Sequence, residues 1–388
     1  MGITLEARLL IILGKSTLSY EEIEEAKHIM ENRHFHIPRF FRLIFEHKVA
    51  TFVYQNLLRH ELTNYIKRKY RHVLEIYCAD ITRRFTAINR EVDCLVRNFA
   101  EKQVKPVFLK GVLLNNTIYK EFGVRYCNDI DILVREEDIT VVSQILTELG
   151  FIQGFEGDNL TIVNSTRKQE VFHRMTTHEL IGFLKKFDNP VFGLLAVDLQ
   201  FDIFSRSKNM KVQYNIPALF DSINPVGEGS TESVMYSLSP ANNILQLASH
   251  LYNDAVRFPN VLEGKDGELY KYTDLYEYII ANANHVNWDR FADSVCGHET
   301  ASILYYALYH AELLFGSFVP SSFMNAIRPA NLTYLDQYGF EEEQRFTWQT
   351  PFLTRFFDSE KRREEIMQIN PAQFKETAKF MNFYEQQI

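Results

Sequence analysis

A chain of 388 residues, 46% hydrophobic and 24% charged, is long enough for about two or three packed units, and its composition is that of a soluble globular protein. Its formal net charge of −8 argues against nucleic acid as the main partner, because a phosphate backbone is normally bound by a basic face. Its four cysteines have neither metal-ligand spacing nor the pattern of a disulfide framework, which indicates free thiols in a reducing cytosol.

The amino-terminal sequence does not have the features of a targeting segment. The apolar run in MGITLEARLLIILGK is too short for a signal peptide, and Glu6 stands where a basic residue is expected. No stretch of the chain approaches the roughly 18 apolar residues of a membrane helix. The sequence therefore predicts a cytoplasmic protein with no membrane partner.

Residues 1–104 are predicted to form an amino-terminal helical region. Short amphipathic segments are predicted at residues 5–13, 20–32, 37–47 and 49–60. Ser19 and Glu22 have the spacing of a helix-capping box. From residue 62 to residue 103 no glycine or proline interrupts the helical periodicity, which indicates one very long helix or two stacked ones.

A strand, a tight turn, a helix and a second strand are predicted in residues 106–134, PVFLKGVLLNNTIYKEFGVRYCNDIDILV. Apolar, β-branched and aromatic residues lead up to the turn at Lys110-Gly111, and helical periodicity follows over residues 111–122. The second strand is DIDILV, in which side chains alternate between two faces. This short stretch contains the features that point most directly to chemistry.

Alternation along the second strand places Asp129 and Asp131 on one face. Two carboxylates at this spacing repel each other, and a divalent cation relieves that repulsion. Mg²⁺ prefers one or two carboxylates together with substrate phosphates. The free N–H groups and the positive end of the preceding helix favour phosphate as well.

The form LKG, followed by a tyrosine, Arg125 and DIDILV, resembles the bacterial, uncharacterised branch of the polymerase-beta-like nucleotidyltransferase superfamily. FEHKVATFVYQNL upstream, SPxxxxLxLxxH ending at His250 and WDRF at Trp288 extend the resemblance to about residue 321. The resemblance implies an α+β fold. Its small mixed-sheet catalytic core, residues 105–212, would lie between the helical region 1–104 and a carboxy-terminal helical domain, residues 235–388.

The resemblance also implies the reaction: a nucleoside monophosphate passes from an NTP to a hydroxyl or similar acceptor, and pyrophosphate is released. It implies a two-metal Mg²⁺ site bridged by Asp129 and Asp131, completed by a third carboxylate on a neighbouring strand. That strand is predicted in LLAVDLQFDIF, where Asp198 is the assigned residue and Asp202, on the same face, is the competitor. The family usually has acidic-x-His here, so the role of Gln200 stays open.

Nucleotide contacts are expected around the turn. The resemblance implies that Gly111 allows the backbone to approach the phosphates, and that Lys110 replaces the serine of the usual Gly-Ser turn with a cationic contact. Arg125 either binds phosphate in a bidentate manner or braces the loop before Asp129. His173, His178 and His250 are scattered along the chain and are expected to be structural.

After the second strand, a helix is predicted over residues 139–149, with Gly150 as its carboxy-terminal cap. The stretches 160–163 and 169–173 are predicted to form a hairpin, and residues 205–237 a loop or linker. The remaining segments are predicted as helices at residues 241–253, 268–281, 287–295 and 300–316, followed by a tail of charged helix and loop.

Lys271 and Asp274, three residues apart on one of these helices, share a helix face. They form either a surface salt bridge or a contact with nucleotide or acceptor. The acidic balance and the helical flanks favour a small molecule or peptide as the acceptor over nucleic acid. Two other functions stay open: a non-catalytic nucleotide-binding or partner-binding module on the same fold, and a metal-dependent phosphohydrolase with water as the nucleophile.

Overall fold

The amino-terminal part of the chain is helical, as its periodicity predicts. The computed structural model describes residues 3–189, 192–205, 212, 214–226, 234–342, 345–369 and 377. The first helices are α1 (Leu5–Leu13), α2 (Tyr20–Glu31), α3 (Ile37–Glu46), α4 (Ala50–Arg59) and α5 (Arg68–Glu101). Ser19 and Glu22 form the predicted capping box. The long periodic segment is one helix of 34 residues, preceded by a short 3₁₀ turn.

A mixed sheet occupies the middle of the chain. Its strands are β1 (Val107–Phe108), β2 (Asp129–Leu133), β3 (Ile152–Gly157), β4 (Thr161–Asn164), β5 (Phe183–Asn189), β6 (Phe192–Gln200), β7 (Asn224–Val226) and β8 (Met235–Ser237). Within the described residues they form one eight-stranded sheet in the order β4-β3-β5-β6-β2-β1-β8-β7. The central pair, β2 and β6, is parallel, and so is the pair β1 and β8. The α+β fold class is thus confirmed.

One face of the central strands is apolar and buried. Ile130, Ile132 and Val197 pack in one cluster with α5 and with α7 (Ile139–Glu148). Because side chains alternate along a strand, the residues between these must point to the other face. The sheet therefore presents a polar face on the side away from α5 and α7.

Several connections differ from the predictions. The helix after the turn, α6 (Lys110–Asn116), ends six residues earlier than predicted. The hairpin prediction is wrong, because β4 pairs with β3 and residues 167–176 form a helix, α8 (Arg167–Thr176). Thr166 and Gln169 form a capping box at the start of α8. Their spacing in the sequence is typical of a helix start, and the strand prediction did not take it into account.

The predicted linker at residues 205–237 is also partly structured. It contains the short helix α9 (Ile216–Leu219) and the hairpin β7-β8, which extends the sheet beyond β1. Pro225 is accommodated because β7 is an edge strand, where no ladder hydrogen bond is needed on one side. Residues 206–211, 213 and 227–233 of this segment lie outside the described residues.

The carboxy-terminal part is mainly helical. Its helices are α10 (Pro240–Val256), α11 (Phe258–Leu262), α12 (Leu269–Asn282), α13 (Trp288–Val295), α14 (Glu299–Phe315), α15 (Ser321–Ala326), α16 (Phe352–Phe357) and α17 (Ser359–Met367). The tail also contains a small hairpin, β9 (Gln337–Tyr338) with β10 (Phe346–Thr347), where helix and loop were predicted.

The two helical regions share one hydrophobic core. Residues of α1, α3 and α4 belong to the same buried cluster as residues of α10, α12 and α14. Ser16, after α1, donates its backbone N–H to Glu277 of α12 at 2.6 Å. No helix among the described residues has the length and apolar character needed to cross a membrane. The division of the chain into units at 1–104, 105–212 and 235–388 stays a prediction.

Candidate active site

Asp131 and Asp198 are register partners on the neighbouring parallel strands β2 and β6. Two residues before Asp131, Asp129 pairs with Ala196 in the same register. Register partners point to the same face of a sheet, and this face is the polar one. The structure therefore brings together the carboxylates of Asp129, Asp131 and Asp198.

Asp131 is held by two nitrogen donors. Lys110 Nζ lies 2.6 Å from Asp131 Oδ1, and Gln200 Nε2 donates to the same oxygen at 2.9 Å. Asp131 is only 3% exposed. Both of these hydrogen bonds end on Oδ1, so within the described residues Oδ2 accepts none. Gln200 thus orients Asp131, which gives a physical role to the residue that stands where the family usually has histidine.

The negative charges of these carboxylates repel one another, and this repulsion adds to the effect of burial in raising the pKa values of Asp131 and Asp198. Burial raises the pKa of Asp131 to about 6; the charge of Lys110 opposes this shift, whereas Asp129 adds to it. Burial, and then the charges of neighbouring carboxylates, raises the pKa of Asp198 well above its usual range. Neither Asp129 nor Asp198 has a side-chain hydrogen bond or an ion pair with another described residue. The group therefore has an excess of negative charge that a cation would relieve.

Glu179 is a further carboxylate at this site, and the sequence did not reveal it. The backbone of Glu179 forms an isolated antiparallel bridge with Gln200, at the end of β6. Its charge is the first of the neighbouring charges that raise the pKa of Asp198. The sequence predicts a strand at residues 169–173. In the structure this segment belongs to the helix α8, and Glu179 follows shortly after the end of that helix.

Asp202 lies beyond the end of β6 and no longer alternates with Asp198 along a strand. It is buried, and its Oδ1 accepts a hydrogen bond from the backbone N–H of Phe204 at 3.0 Å, as in an Asx-type turn. Asp202 lines a cavity of about 1320 Å³ with Tyr214 and Phe220, and neither Asp131 nor Asp198 lines it. The structure groups Asp198, rather than Asp202, with the strand carboxylates.

The turn between β1 and α6 is tightly constrained. Leu109 donates its backbone N–H to the carbonyl oxygen of Asp131 at 3.0 Å, which ties the turn to β2. Lys110 has a φ of 45°, a left-handed conformation that is strained for a residue with a side chain. This conformation allows its ammonium group to reach Asp131. Burial opposes the charged form of Lys110, but Asp131 raises the pKa of Lys110 above its ordinary value.

Gly111 is required at this turn by internal packing. A Cβ atom on Gly111 would lie 2.6 Å from Cys127 Sγ and 2.7 Å from Arg125 Nη1. Real Cβ atoms essentially never approach other heavy atoms so closely. The space that glycine leaves is therefore filled by the loop that precedes β2.

Arg125 braces that loop. Its guanidinium donates to Asp274 Oδ2 on α12 from Nε at 2.9 Å and from Nη2 at 2.5 Å, and its Nη1 donates to the carbonyl oxygen of Tyr126. Asn115 accepts the backbone N–H of Arg125 at 2.7 Å. Arg125 is 8% exposed, and the ring of Tyr270 lies against its guanidinium. Of the two roles considered for Arg125, these contacts support the brace.

Lys271 and Asp274 do not form a surface salt bridge with each other. Both are buried, and each has a different partner. Lys271 Nζ lies 2.5 Å from Asp254 on α10 and 2.8 Å from Glu268, while Asp274 holds Arg125. Lys271 thus joins α12 to α10, and Asp274 joins α12 to the loop before β2. Both contacts hold elements around the carboxylate strands in place.

The carboxylate group fits Mg²⁺ as a ligand set. Its donors are hard oxygens, and the unpaired carboxylates of Asp129 and Asp198 flank Asp131 on one sheet face. Among the described residues no three acidic, histidine or cysteine side chains are placed to enclose one cation. Mg²⁺ does not need such a cage, because it is usually held by one or two carboxylates and by substrate phosphates.

The fold and the site define an α+β protein that carries a group of carboxylates on two adjacent parallel strands. A family model described as uncharacterised nucleotidyltransferase matches residues 33–316, which is well over half of the chain, and the protein belongs to that family. Membership supports a role in nucleotidyl transfer in general terms. No curated protein and no solved structure matches the chain.

Proposed function

We propose that the protein transfers a nucleoside monophosphate from an NTP to a hydroxyl or similar group of a small molecule or peptide, with Mg²⁺, and releases pyrophosphate. The observation that carries this proposal is the parallel register that sets Asp198 beside Asp131 and Asp129 on one sheet face. Family membership supports the same class of reaction. The free cysteines among the described residues agree with a cytoplasmic location.

The side chains divide the work. Asp129 and Asp131 would hold the metal ion, and Gln200 fixes the orientation of Asp131 through its hydrogen bond to Oδ1. Mg²⁺ held there would supply positive charge to the triphosphate and to the leaving pyrophosphate, and would lower the pKa of the attacking hydroxyl. Asp198 would serve as a metal ligand or accept the proton of that hydroxyl.

The test is calorimetric titration of ATP, GTP, CTP and UTP into the protein with Mg²⁺ and, separately, with EDTA. We expect binding that requires Mg²⁺ and is abolished by Asp131→Asn, because the amide is a poor ligand for the cation. Asp221→Asn is the matched control, since the Asp221 side chain is 78% exposed and its contact with Arg135 is long, at 4.0 Å. A wild-type affinity that is the same in EDTA would refute the metal-dependent site. Pyrophosphate release with candidate hydroxyl acceptors then tests transfer.

A second function is favoured by one observation. Lys110 Nζ already neutralises part of the charge of Asp131, at 2.6 Å. A non-catalytic nucleotide-binding module would keep this ion pair intact and would bind nucleotide without a metal. In that case the affinity survives EDTA, and Asp198→Asn changes no rate. The same titration therefore separates the two functions.

A further inference from the structure

The cavity of about 1320 Å³ lies where β2 and β6 end, and the proposed reaction does not use it. The chain just beyond the two strands forms part of its wall, including Arg135 and Ser205. The short helix α9, Phe220 after it, and Asn242 in the first turn of α10 form further parts of the wall. None of the strand carboxylates lines the cavity. Pockets for small molecules usually measure about 300–1,000 Å³, so the space is ample for such a ligand.

Much of the lining is aromatic or aliphatic. Phe204 and Tyr214 pack edge to face, with their ring centroids 5.5 Å apart. Leu219 and Phe220 belong to the large hydrophobic core, which anchors α9 and the turn that follows it. Met175, at the end of α8, lines the cavity and is 76% exposed, so the rim is apolar as well. A lining of this kind favours a ligand with an apolar body that contains rings.

Arg135 brings a positive charge to this apolar lining. Its guanidinium lies over the ring of Phe220, 4.7 Å from the ring centroid. Its ion contacts with Glu137 and Asp221 are both long, at 4.0 Å, and those two side chains are 70% and 78% exposed. Glu136, which also lines the cavity, is exposed too. Solvent and salt screen exposed charges, so these carboxylates leave the guanidinium able to bind an anion.

Ser205 adds a buried hydroxyl to the same wall. The residue is 4% exposed, and its Oγ has no hydrogen-bond partner among the described residues. A buried hydroxyl without a partner is unfavourable, and such groups normally find one. A polar atom of a ligand in the cavity would supply it.

We propose that this cavity binds a small molecule with an apolar, ring-containing body and one anionic group. The body lies among Phe204, Tyr214 and Phe220, the anion pairs with the guanidinium of Arg135, and a polar atom of the ligand bonds to Ser205 Oγ. A carboxylate, a sulfonate and a phosphate share the chemistry that a guanidinium recognises. The site is separate from the strand carboxylates, and it does not depend on the proposed transfer reaction.

The experiment is a fluorescence titration with two probes, anilinonaphthalene sulfonate and the uncharged phenylnaphthylamine. We expect Arg135→Gln to weaken the sulfonate probe by roughly 10-fold, the worth of one hydrogen bond to a charged group, and to leave the uncharged probe unchanged. Ala218→Trp, which adds a ring to the cavity wall at α9, should weaken both probes. Arg83→Gln and Ala79→Trp, at exposed positions of α5 away from the cavity, should bind both probes as the wild type does. Thermal unfolding verifies that each variant is folded, because the sulfonate probe also binds partly unfolded chains.

The nature of the anion is tested by competition. Naphthoate and naphthyl phosphate carry the same ring system with a carboxylate or a phosphate, and at least one of them should displace the sulfonate probe from the wild type. The stronger competitor identifies the anionic group. Displacement by neither overturns the inference, because the cavity would then not recognise this class of ligand.

The variants separate this site from other places where a probe could bind. Probe binding that survives Ala218→Trp, or an Arg135→Gln variant that treats both probes alike, overturns the inference. A wild type that binds neither probe overturns it as well. Asp131→Asn should leave the affinity for the sulfonate probe unchanged, and a loss there would mean that the probe binds at the carboxylates instead. None of these results bears on Mg²⁺-dependent binding of NTP, so the proposed function stands or falls by its own titration.

Discussion

Arg125 and Asp274 form a buried, two-armed ion pair that joins the loop before β2 to helix α12. The hydroxyl of Tyr119 donates to Asp274 Oδ1 at 2.9 Å, so the carboxylate is satisfied on both oxygens. The pair therefore couples the carboxylate strand to the carboxy-terminal helical region. Removal of one partner alone would lower the free energy of unfolding strongly, because the other charge would stay buried without a counter-ion.

Replacement of Asp274 by alanine should lower the free energy of unfolding by about 3–5 kcal/mol, because the Arg125 guanidinium stays buried without its counter-ion. Urea denaturation measures the change. The double variant Arg125→Met with Asp274→Leu should regain a large part of the loss, since no unpaired charge remains. Glu24→Ala, which removes the partner of Lys27 in an ion pair whose side chains are 46% and 35% exposed, should cost less than about 1 kcal/mol. A loss at Asp274 as small as that at Glu24 would contradict the argument.

Replacement of Gly111 by alanine should disturb the turn directly. The new methyl group would overlap Cys127 Sγ and the guanidinium of Arg125, so the loop before β2 must shift. Overpacking of this kind costs about 1–3 kcal/mol, and we expect nucleotide binding to weaken as well. Gly267→Ala is the matched control, because nothing lies within 4 Å of its Cβ position. Thermal unfolding and nucleotide titration of both variants test this, and equal effects at the two glycines would refute it.

Replacement of Asp198 by asparagine should leave NTP binding largely intact and reduce turnover by about 10²–10⁴, the usual contribution of a positioned base. Asp202→Asn should have a much smaller effect, because Asp202 lies off β6 and the asparagine oxygen still accepts the N–H of Phe204. A pyrophosphate-release assay on both variants decides between them. If Asp202→Asn proves the more damaging change, the third carboxylate has been assigned to the wrong residue.

Local periodicity was sufficient to predict most of the helices and the shared face of Asp129 and Asp131. It did not predict where β6 ends, because Asp202 turns the chain through its own hydrogen bond to Phe204. The same limitation applies to α6, which stops at Asn116 although the apolar spacing continues. At both places a side chain satisfies backbone groups that the regular element would otherwise have used.

The remainder of the site depends on tertiary contacts that no local pattern encodes. The register that sets Asp198 beside Asp131 joins strands about seventy residues apart, and that spacing carries no information on their pairing. Glu179 reaches the site from a separate segment, after α8. Arg125 could be interpreted in two ways because its partner, Asp274, lies far along the chain.

Buried histidines should make the protein less stable in mild acid. Burial lowers the pKa of His47 and that of His310 from the ordinary value of 6.5 to about 3. As the pH falls below 6.5, the unfolded chain takes up protons at these positions and the folded protein does not, so the free energy of unfolding decreases until the pH approaches 3. Between pH 7 and pH 5 the loss is about 2 kcal/mol for each histidine. Asp131 and Asp198, whose pKa values are raised, act in the opposite direction, so the comparison must be between variants.

The variants His47→Gln and His310→Gln, combined, should therefore show a smaller loss of stability from pH 7 to pH 5 than the wild type, whatever their stability at pH 7. His285→Gln should not change the pH dependence, because His285 is exposed to solvent, unlike His47 and His310. Urea denaturation at the two pH values gives the four free energies needed for each comparison. An unchanged pH dependence in the combined variant would mean that the two buried histidines are protonated in the folded protein, against what their burial requires.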